Sequence, residues 1–213
     1  MRGAGKCCKF EAQIHRELEE VEVKEDSISV GISNTVLAGI NSRKMDLIEN
    51  NSKEIKQSFA PIEGREVRIL ILGSMPGDAS IAAGQYYAHS RNRFWPLMAT
   101  LLGCTLPVDY EARCRMLQEH GIALWDVAGS AVRPGSMDSA MREERPNDIA
   151  GLMARHPELR TVVFNGRKSE QLFDRFFQRF PDVRYLPMPS TSPANASFSI
   201  VRLAERWKAM FVA

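Results

Sequence analysis

Four short apolar runs, each separated from the next by a helical pattern, constrain the fold of this chain more than any other feature. They cover Val67 to Leu72, Ile122 to Val127, Thr161 to Phe164 and Val183 to Met188. Short, continuous apolar runs are typical of strands buried on both faces, as in a parallel sheet. Strands that alternate with helices predict right-handed crossovers and helices on both faces. We therefore expect an α/β fold with a central, mainly parallel four-stranded sheet.

The intervening helices are predicted from apolar spacing and from the residues at their ends. Gly103 and Gly121 are expected to end the first two helices, and Asn147 to cap the third. The segment Ala128 to Asp138 is expected to be a polar loop. The predicted helices are Phe94 to Leu102, Tyr110 to His120, Ile149 to His156, a segment after Asn165-Gly166, and Ile200 to Val212.

A change in basic residues near position 60 predicts a domain boundary. Residues 1–60 hold six Lys and three Arg, whereas residues 61–213 hold two Lys and seventeen Arg. We expect residues 1–58 to form a loosely ordered extension with an amphipathic helix over 10–21, and residues 59–213 to form the globular domain. The planar arginine side chain suits contact with phosphate, although a solvated surface would have the same composition.

Membrane and metal-binding classes find no support in the composition. No apolar run reaches the roughly 18 residues of a membrane helix, and the first twenty residues lack the apolar core of a secretory signal. We expect a cytoplasmic protein, associated with the nucleoid if the source is bacterial. The four cysteines lack zinc-ligand spacing, so we expect free thiols and no metal site.

The loops that follow the strands are expected to form one pocket, because the carboxyl ends of parallel strands meet at one edge of the sheet. The first of these loops, GSMPG at residues 73–77, is expected to form a tight turn in which glycines can take positive φ and a proline fixes the path. It is either an anion cradle or a plain turn. The other loops follow Asp126, Asn165 and Met188.

Five motifs in order give the pocket a specific interpretation. The segments GSMPG, YYAHSRNRFW, ALWDV with RPGS after it, VVFNGR and PSTSPANA resemble the uracil-DNA glycosylase superfamily, and most closely its hypoxanthine-DNA (deoxyinosine) glycosylase branch. The resemblance covers about residues 59–212. It implies a three-layer α/β/α sandwich that flips a damaged base out of DNA and hydrolyses its N-glycosidic bond without a cofactor or metal. The implied partner is DNA containing deaminated bases, and we expect a monomer that contacts no membrane.

The resemblance points to Asn92 as the catalytic residue. Superfamily relatives carry Asp or Asn two residues after the leading glycine of the first motif, where this chain has Met75. A thioether cannot hold and polarise a water molecule. Deoxyinosine glycosylases resemble this chain in having an asparagine at the place of Asn92, which would position the water. The alternative is that Asn92 caps the helix beginning near Phe94, and both roles can hold.

Base recognition is assigned to residues at the strand ends. Asp126 lies where pyrimidine-specific relatives read the base with an asparagine. A carboxylate there could accept from N1–H of hypoxanthine, whereas N1 of adenine is itself an acceptor. Alternatively, Asp126 accepts hydrogen bonds from backbone N–H groups of the following loop.

Tyr86 and Tyr87 either stack on the flipped base, with Tyr87 favoured, or pack in the wall of the pocket. The predicted base-binding set is Gly73, Ser74, Met75, Tyr87, Asp126 and Asn165.

The last loop is expected to grip the DNA backbone. The resemblance implies that Ser190, Thr191 and Ser192 bind phosphates beside the lesion, and His89 is assigned to a phosphate or the leaving base, or to a structural hydrogen bond. Met188 stands where uracil-specific relatives have a histidine that stabilises the departing base, so we expect low uracil activity. Residues 194–198 are the expected wedge that fills the vacated stack.

The predicted function is therefore a monofunctional hypoxanthine-DNA glycosylase of base excision repair. One alternative on the same fold is a glycosylase specific for uracil or thymine mismatches. A second alternative is a non-catalytic DNA- or nucleotide-binding module, which Met75 favours because it removes a water-positioning group.

Overall fold

The computed structural model describes residues 55–212. The predicted amphipathic helix over 10–21 and nearly all of the predicted N-terminal extension lie outside the described residues. The strands are β1 (Ile55–Gln57), β2 (Ile69–Gly73), β3 (Ile122–Asp126), β4 (Ala128–Val132), β5 (Arg142–Pro146), β6 (Thr161–Asn165) and β7 (Arg184–Met188). The α-helices are α1 (Asp78–Ala83), α2 (Phe94–Leu102), α3 (Tyr110–Glu119), α4 (Ile149–Arg155), α5 (Arg167–Phe176) and α6 (Ile200–Trp207), with 3₁₀ turns at Asp138–Ala140 and Lys208–Phe211.

The four predicted apolar runs form one parallel sheet flanked by helices, which confirms the predicted fold class. The strand order is β3-β2-β6-β7. Ile69 at the start of β2 lies opposite Ile122 of β3 and Thr161 of β6, so these strands begin in register. Every residue of β2, β3 and β6 is buried. Each fully buried aliphatic side chain contributes about 1.5–3 kcal/mol, which makes this sheet the centre of the core.

A second sheet of three antiparallel strands, in the order β1-β4-β5, was not predicted. The segment expected to be a polar loop begins with β4, whose sequence AGSAV has little β propensity. Its pairing with β1 places Ile55 opposite Val132 and Gln57 opposite Ser130. Strand β1 therefore precedes the predicted domain start at Phe59, and residues 55–58 take part in the fold.

The helix ends follow the predicted signals with one correction. Gly103 and Gly121 both adopt left-handed backbone, with φ of 68° and 69°, at the predicted helix ends. Asn147 does not cap α4; Asp148 does, since its side chain accepts a hydrogen bond from the Gly151 amide. Asn147 instead donates through Nδ2 to the carbonyl oxygen of Asp126, 2.8 Å away, and so supports the end of β3.

The described part of the chain supplies neither a membrane helix nor a cluster of metal ligands. Between residues 55 and 212, no helix is both long and apolar enough to cross a bilayer. The same residues contain no group of three or more His, Cys, Asp or Glu side chains placed to share an ion. Cys104 and Cys114 are free thiols.

Candidate active site

A cavity of about 430 Å³ lies where the loops following the parallel strands meet. It brings together all of the predicted site residues except Thr191, which is fully buried behind the lining. The predicted residues in the lining are Gly73, Ser74, Met75, Tyr87, His89, Asn92, Asp126, Asn165, Ser190 and Ser192. The carboxyl edge of the sheet thus contains the pocket that the strand pattern predicted.

Gly73 is required for space and not for positive φ. Neither glycine of the GSMPG turn adopts the positive φ that is open to glycine. A Cβ atom at Gly73 would overlap Asp126 Oδ1 and come within 3.0 Å of Tyr87 Oη. Two polar oxygens therefore flank the same point above the Gly73 backbone. Met75, only 7% exposed, forms part of the apolar wall.

Asp126 ends β3 as a buried carboxyl group, 2% exposed. Its Oδ2 accepts a hydrogen bond from Ser58 Oγ at 2.8 Å, whereas Oδ1 faces Gly73 and has no hydrogen bond within residues 55–212. The alternative that the carboxylate binds loop amides therefore does not describe this side chain. Burial raises the pKa of Asp126 to about 7, although the Ser58 hydrogen bond and the charge of Arg133 oppose this shift.

The raised pKa makes stability depend on pH. Folding favours the protonated carboxyl group because its pKa rises from 3.8 to about 7. The resulting stabilisation is complete below pH 4 and is lost as pH rises through 7. Relative to Asp126→Asn, we expect the wild-type free energy of unfolding to fall by roughly 4 kcal/mol between pH 4 and pH 8. Urea unfolding at several pH values measures this difference. Asp182→Asn, at an exposed position, is the control, and equal pH dependence for all three proteins contradicts the prediction.

Tyr87 is held in a left-handed backbone conformation, with φ of 55°. Its ring stacks on Phe94 with centroids 4.1 Å apart, and its Oη accepts from Asn165 Nδ2 at 2.9 Å. Burial raises the pKa of Tyr87, so the hydroxyl keeps its proton.

Tyr86 packs in the cavity wall, as the alternative interpretation expected. Its side chain is 2% exposed, and its hydroxyl donates to the carbonyl oxygens of Phe59 and Ala60.

Asn165 links Tyr87 in the cavity wall to the last loop. Its Nδ2 donates to Thr191 Oγ1 at 3.0 Å as well as to Tyr87, and its Oδ1 accepts from the Thr191 amide at 2.9 Å. Both donors of the amide are therefore used within the protein. These hydrogen bonds hold Tyr87 and the last loop in place. Asn165 Oδ1 keeps one lone pair that can accept a hydrogen bond from a ligand.

Asn92 lies two residues before α2 and lines the cavity. Its Oδ1 accepts from the Phe94 amide at 3.0 Å, which satisfies a backbone donor at the start of α2. Its Nδ2 makes no hydrogen bond within residues 55–212, and the side chain lines the cavity. The N-cap of α2 is Arg93, so Asn92 does not cap this helix; it supports the first helical residue from one position earlier, and its Nδ2 stays available.

The serine-rich loop carries its own support. Ser190 Oγ accepts from the Ser192 amide at 3.2 Å, and Ser192 Oγ from the Ala194 amide at 3.3 Å. Arg93, which the sequence interpretation did not single out, donates to the carbonyl oxygens of Thr191, Ser192, Asn195 and Phe198. This arginine fixes the shape of the loop.

His89 is exposed, and its Nδ1 accepts from the Arg91 amide at 3.1 Å.

Arg133 places a buried positive charge beside the cavity. It is 1% exposed, donates to the Pro76 carbonyl oxygen, and its Nη1 lies 3.7 Å from Asp138 Oδ1. Its Nε is buried without a hydrogen-bond partner within the described range. In the sequence, Arg133 is the first residue of the RPGS segment, and no local pattern there indicates that its side chain is buried. The positive charge of Arg133 would favour a negatively charged ligand in the cavity.

Comparisons with known proteins agree on one family. The sequence profile of the Uracil DNA glycosylase superfamily matches residues 61–211. A protein of Methanosarcina acetivorans named hypoxanthine DNA glycosylase is 39% identical over 158 residues, which are 74% of this chain and 98% of that protein. A protein of the same name from Methanosarcina barkeri is 41% identical over 54% of this chain and 73% of its own length. A solution NMR structure of a protein from M. acetivorans gives a TM-score of 0.63 with 38% identity, covering 74% of this chain and 96% of that one.

Proposed function

The chain belongs to the uracil DNA glycosylase superfamily, and from this premise we propose that it is a monofunctional hypoxanthine DNA glycosylase. It removes hypoxanthine, the product of adenine deamination, from DNA by flipping the nucleotide into the cavity and hydrolysing its N-glycosidic bond. The similarity to the two Methanosarcina hypoxanthine DNA glycosylases supports this assignment.

The proposed preference for hypoxanthine rests on the positions of two polar atoms in the cavity. Asp126 Oδ1 and Tyr87 Oη flank the same point above Gly73, so an acceptor and a donor stand side by side. Hypoxanthine presents N1–H beside the C6 carbonyl oxygen, which pairs with that arrangement. Adenine presents the reverse, an acceptor at N1 beside an amino donor at C6. Binding adenine would leave these buried polar groups unpaired, which costs roughly 1–3 kcal/mol for each group.

The remaining groups suit loss of the base followed by addition of water. Cleavage moves the bonding electron pair to the base, a water molecule adds to the sugar C1′, and the proton that the water loses ends on the departing base. We assign the positioning of this water to Asn92, whose side chain faces the cavity. Arg133 supplies a buried positive charge that favours negative charge on the departing base. Ser190, Ser192 and His89 line the same cavity, and we assign them to the flanking phosphates.

The base preference is tested with purified protein and duplexes that carry a single hypoxanthine, uracil or mismatched thymine. Heating in alkali then cleaves the strand at each abasic site. We expect strand scission with hypoxanthine at a rate at least about tenfold above that with uracil, the difference that about 1.4 kcal/mol produces. Faster scission with uracil or thymine would assign the chain to the alternative specificity. Tight binding without scission would identify a non-catalytic module.

Two further properties are part of the proposal. We propose that the protein acts as a monomer, because one cavity contains the whole set of assigned residues. Its substrate places it on chromosomal DNA, in the nucleoid if the source is bacterial. Sedimentation with and without a hypoxanthine-containing duplex measures the stoichiometry, which we expect to be one protein per lesion.

A further inference from the structure

Base flipping, on which this inference rests, leaves a gap in the duplex that an apolar side chain commonly fills. Such a side chain must be large, exposed in the free protein and located at the mouth of the cavity. Met137 meets all three conditions. It is 62% exposed and lines the cavity. Within the described chain, it is the only large apolar side chain of the cavity lining that is mostly exposed.

The loop that carries Met137 is anchored to the turn beneath the base. Ser74 Oγ donates to Asp138 Oδ1 at 2.8 Å, and Ser136 Oγ accepts from the Asp78 amide at 2.8 Å. On the opposite side of the loop, Lys56 Nζ donates to the Gly135 carbonyl oxygen at 2.9 Å. The residues on both sides of Met137 are therefore held by polar contacts, while the thioether side chain itself projects outward.

The opposite rim of the cavity does not supply an equivalent side chain. Residues 194–198, the wedge expected from the sequence, present Ala194 at the cavity, which has only a methyl group. Phe198 is partly buried against the core, with the Arg202 guanidinium 5.0 Å from its ring centroid. Its carbonyl oxygen also accepts from Arg93. Moving the Phe198 ring into DNA would break this packing.

We propose that Met137 is the wedge that enters the base stack when hypoxanthine leaves it. Methionine suits this task because its side chain is unbranched, flexible and polarizable, and its sulfur makes favourable contacts with aromatic rings. Insertion holds the flipped state open and does not act on the glycosidic bond. Met137 therefore contributes to duplex substrates and not to single strands, in which no stack has to be filled.

The test compares excision of hypoxanthine from a duplex and from the corresponding single strand. For Met137→Ala we expect kcat/KM on the duplex to fall by about 10- to 100-fold, since unstacking costs a few kcal/mol. On the single strand we expect a change of less than about threefold, and Met137→Leu restores most of the duplex activity. Val108→Ala, at a side chain that is 88% exposed and absent from the cavity lining, is the control for loss of an exposed apolar group.

A second readout follows the flip directly, with 2-aminopurine placed next to hypoxanthine. Its fluorescence rises on unstacking, and we expect Met137→Ala to remove most of this rise. Equal losses on duplex and single strand, or no loss on either, overturn the role of Met137. Absence of product from both substrates with the wild-type protein contradicts the proposed function instead, so the two failures are distinguishable.

Discussion

Asn92→Ala is expected to lower the single-turnover rate of hypoxanthine excision by about a thousandfold, within the range found when a group that orients a reactant or stabilises charge is removed. The Asn92 side chain lines the cavity, and its Nδ2 has no hydrogen-bond partner within residues 55–212. In the proposed mechanism, removing the amide leaves the attacking water without a positioning group. Single-turnover kinetics on a duplex with one hypoxanthine measure the loss.

The second role of Asn92 has to be separated from catalysis. Alanine also removes the acceptor for the Phe94 amide, which we expect to cost about 1 kcal/mol of stability. Ser199→Ala is the control for loss of a side-chain acceptor at the start of a helix. Ser199 is the N-cap of α6, accepts from the Arg202 amide and does not line the cavity. We expect this variant to lose similar stability and to keep its activity. An Asn92→Ala enzyme within tenfold of the wild-type rate would show that Asn92 only supports the start of α2.

Asn92→Asp refines the assignment. A carboxylate still accepts from the Phe94 amide, and its negative charge is favourable at the start of a helix. It also accepts from the attacking water, so we expect stability to be restored and the rate to lie between those of alanine and asparagine.

The central sheet was predictable because its signal is local. The runs that became β2, β3 and β6 are apolar along their whole length, and the structure buries every one of their residues. Strand β4 lacks that signal, since it consists mostly of Ala, Gly and Ser. Its strand conformation depends on pairing with β1, which lies more than 70 residues earlier in the chain. No local pattern reveals such a partner.

The same distinction separates the predicted from the missed site residues. Asp126 and Asn165 end strands, so the parallel topology alone brings them together at the cavity. Ser58 and Arg93 were missed because their roles arise from distant partners. Ser58 bonds Asp126, 68 positions later, and Arg93 bonds the carbonyl oxygens of a loop about a hundred positions later. Sequence order carries no direct information about these contacts.

Gly73→Ala is expected to lower kcat/KM for hypoxanthine by about a hundredfold, because displacement of a reacting or binding group by about 1 Å has an effect of this size. The new methyl group would overlap Asp126 Oδ1 and lie 3.0 Å from Tyr87 Oη, so it would displace the two oxygens that are proposed to bind the base edge. Crowding a packed site in this way also costs about 1–3 kcal/mol of stability. Steady-state kinetics and urea unfolding measure the two effects.

Gly77→Ala in the same turn provides the matched control. Gly77 has φ of −77°, which alanine adopts readily, and its Cβ would meet Ser136 Oγ at an ordinary distance of 3.4 Å. We expect this variant to keep both stability and activity, which separates the contact at Gly73 from a general effect of alanine on the turn. If both variants lose activity equally, backbone freedom of the turn is the cause and the steric explanation is wrong.

A double-mutant cycle identifies the group that the methyl displaces. Asp126→Ala removes the oxygen that a Cβ at Gly73 would overlap, so adding Gly73→Ala to that variant should cost little further stability. The interaction free energy of the cycle should therefore offset most of the stability that Gly73→Ala alone loses, as expected for residues in direct contact. Activity should stay low in the double variant, because the acceptor for N1–H is absent. Suppose that the double variant is about as stable as Asp126→Ala but remains inactive. This result would mean that glycine at position 73 makes room for the Asp126 carboxyl group, and that this carboxyl group binds the base.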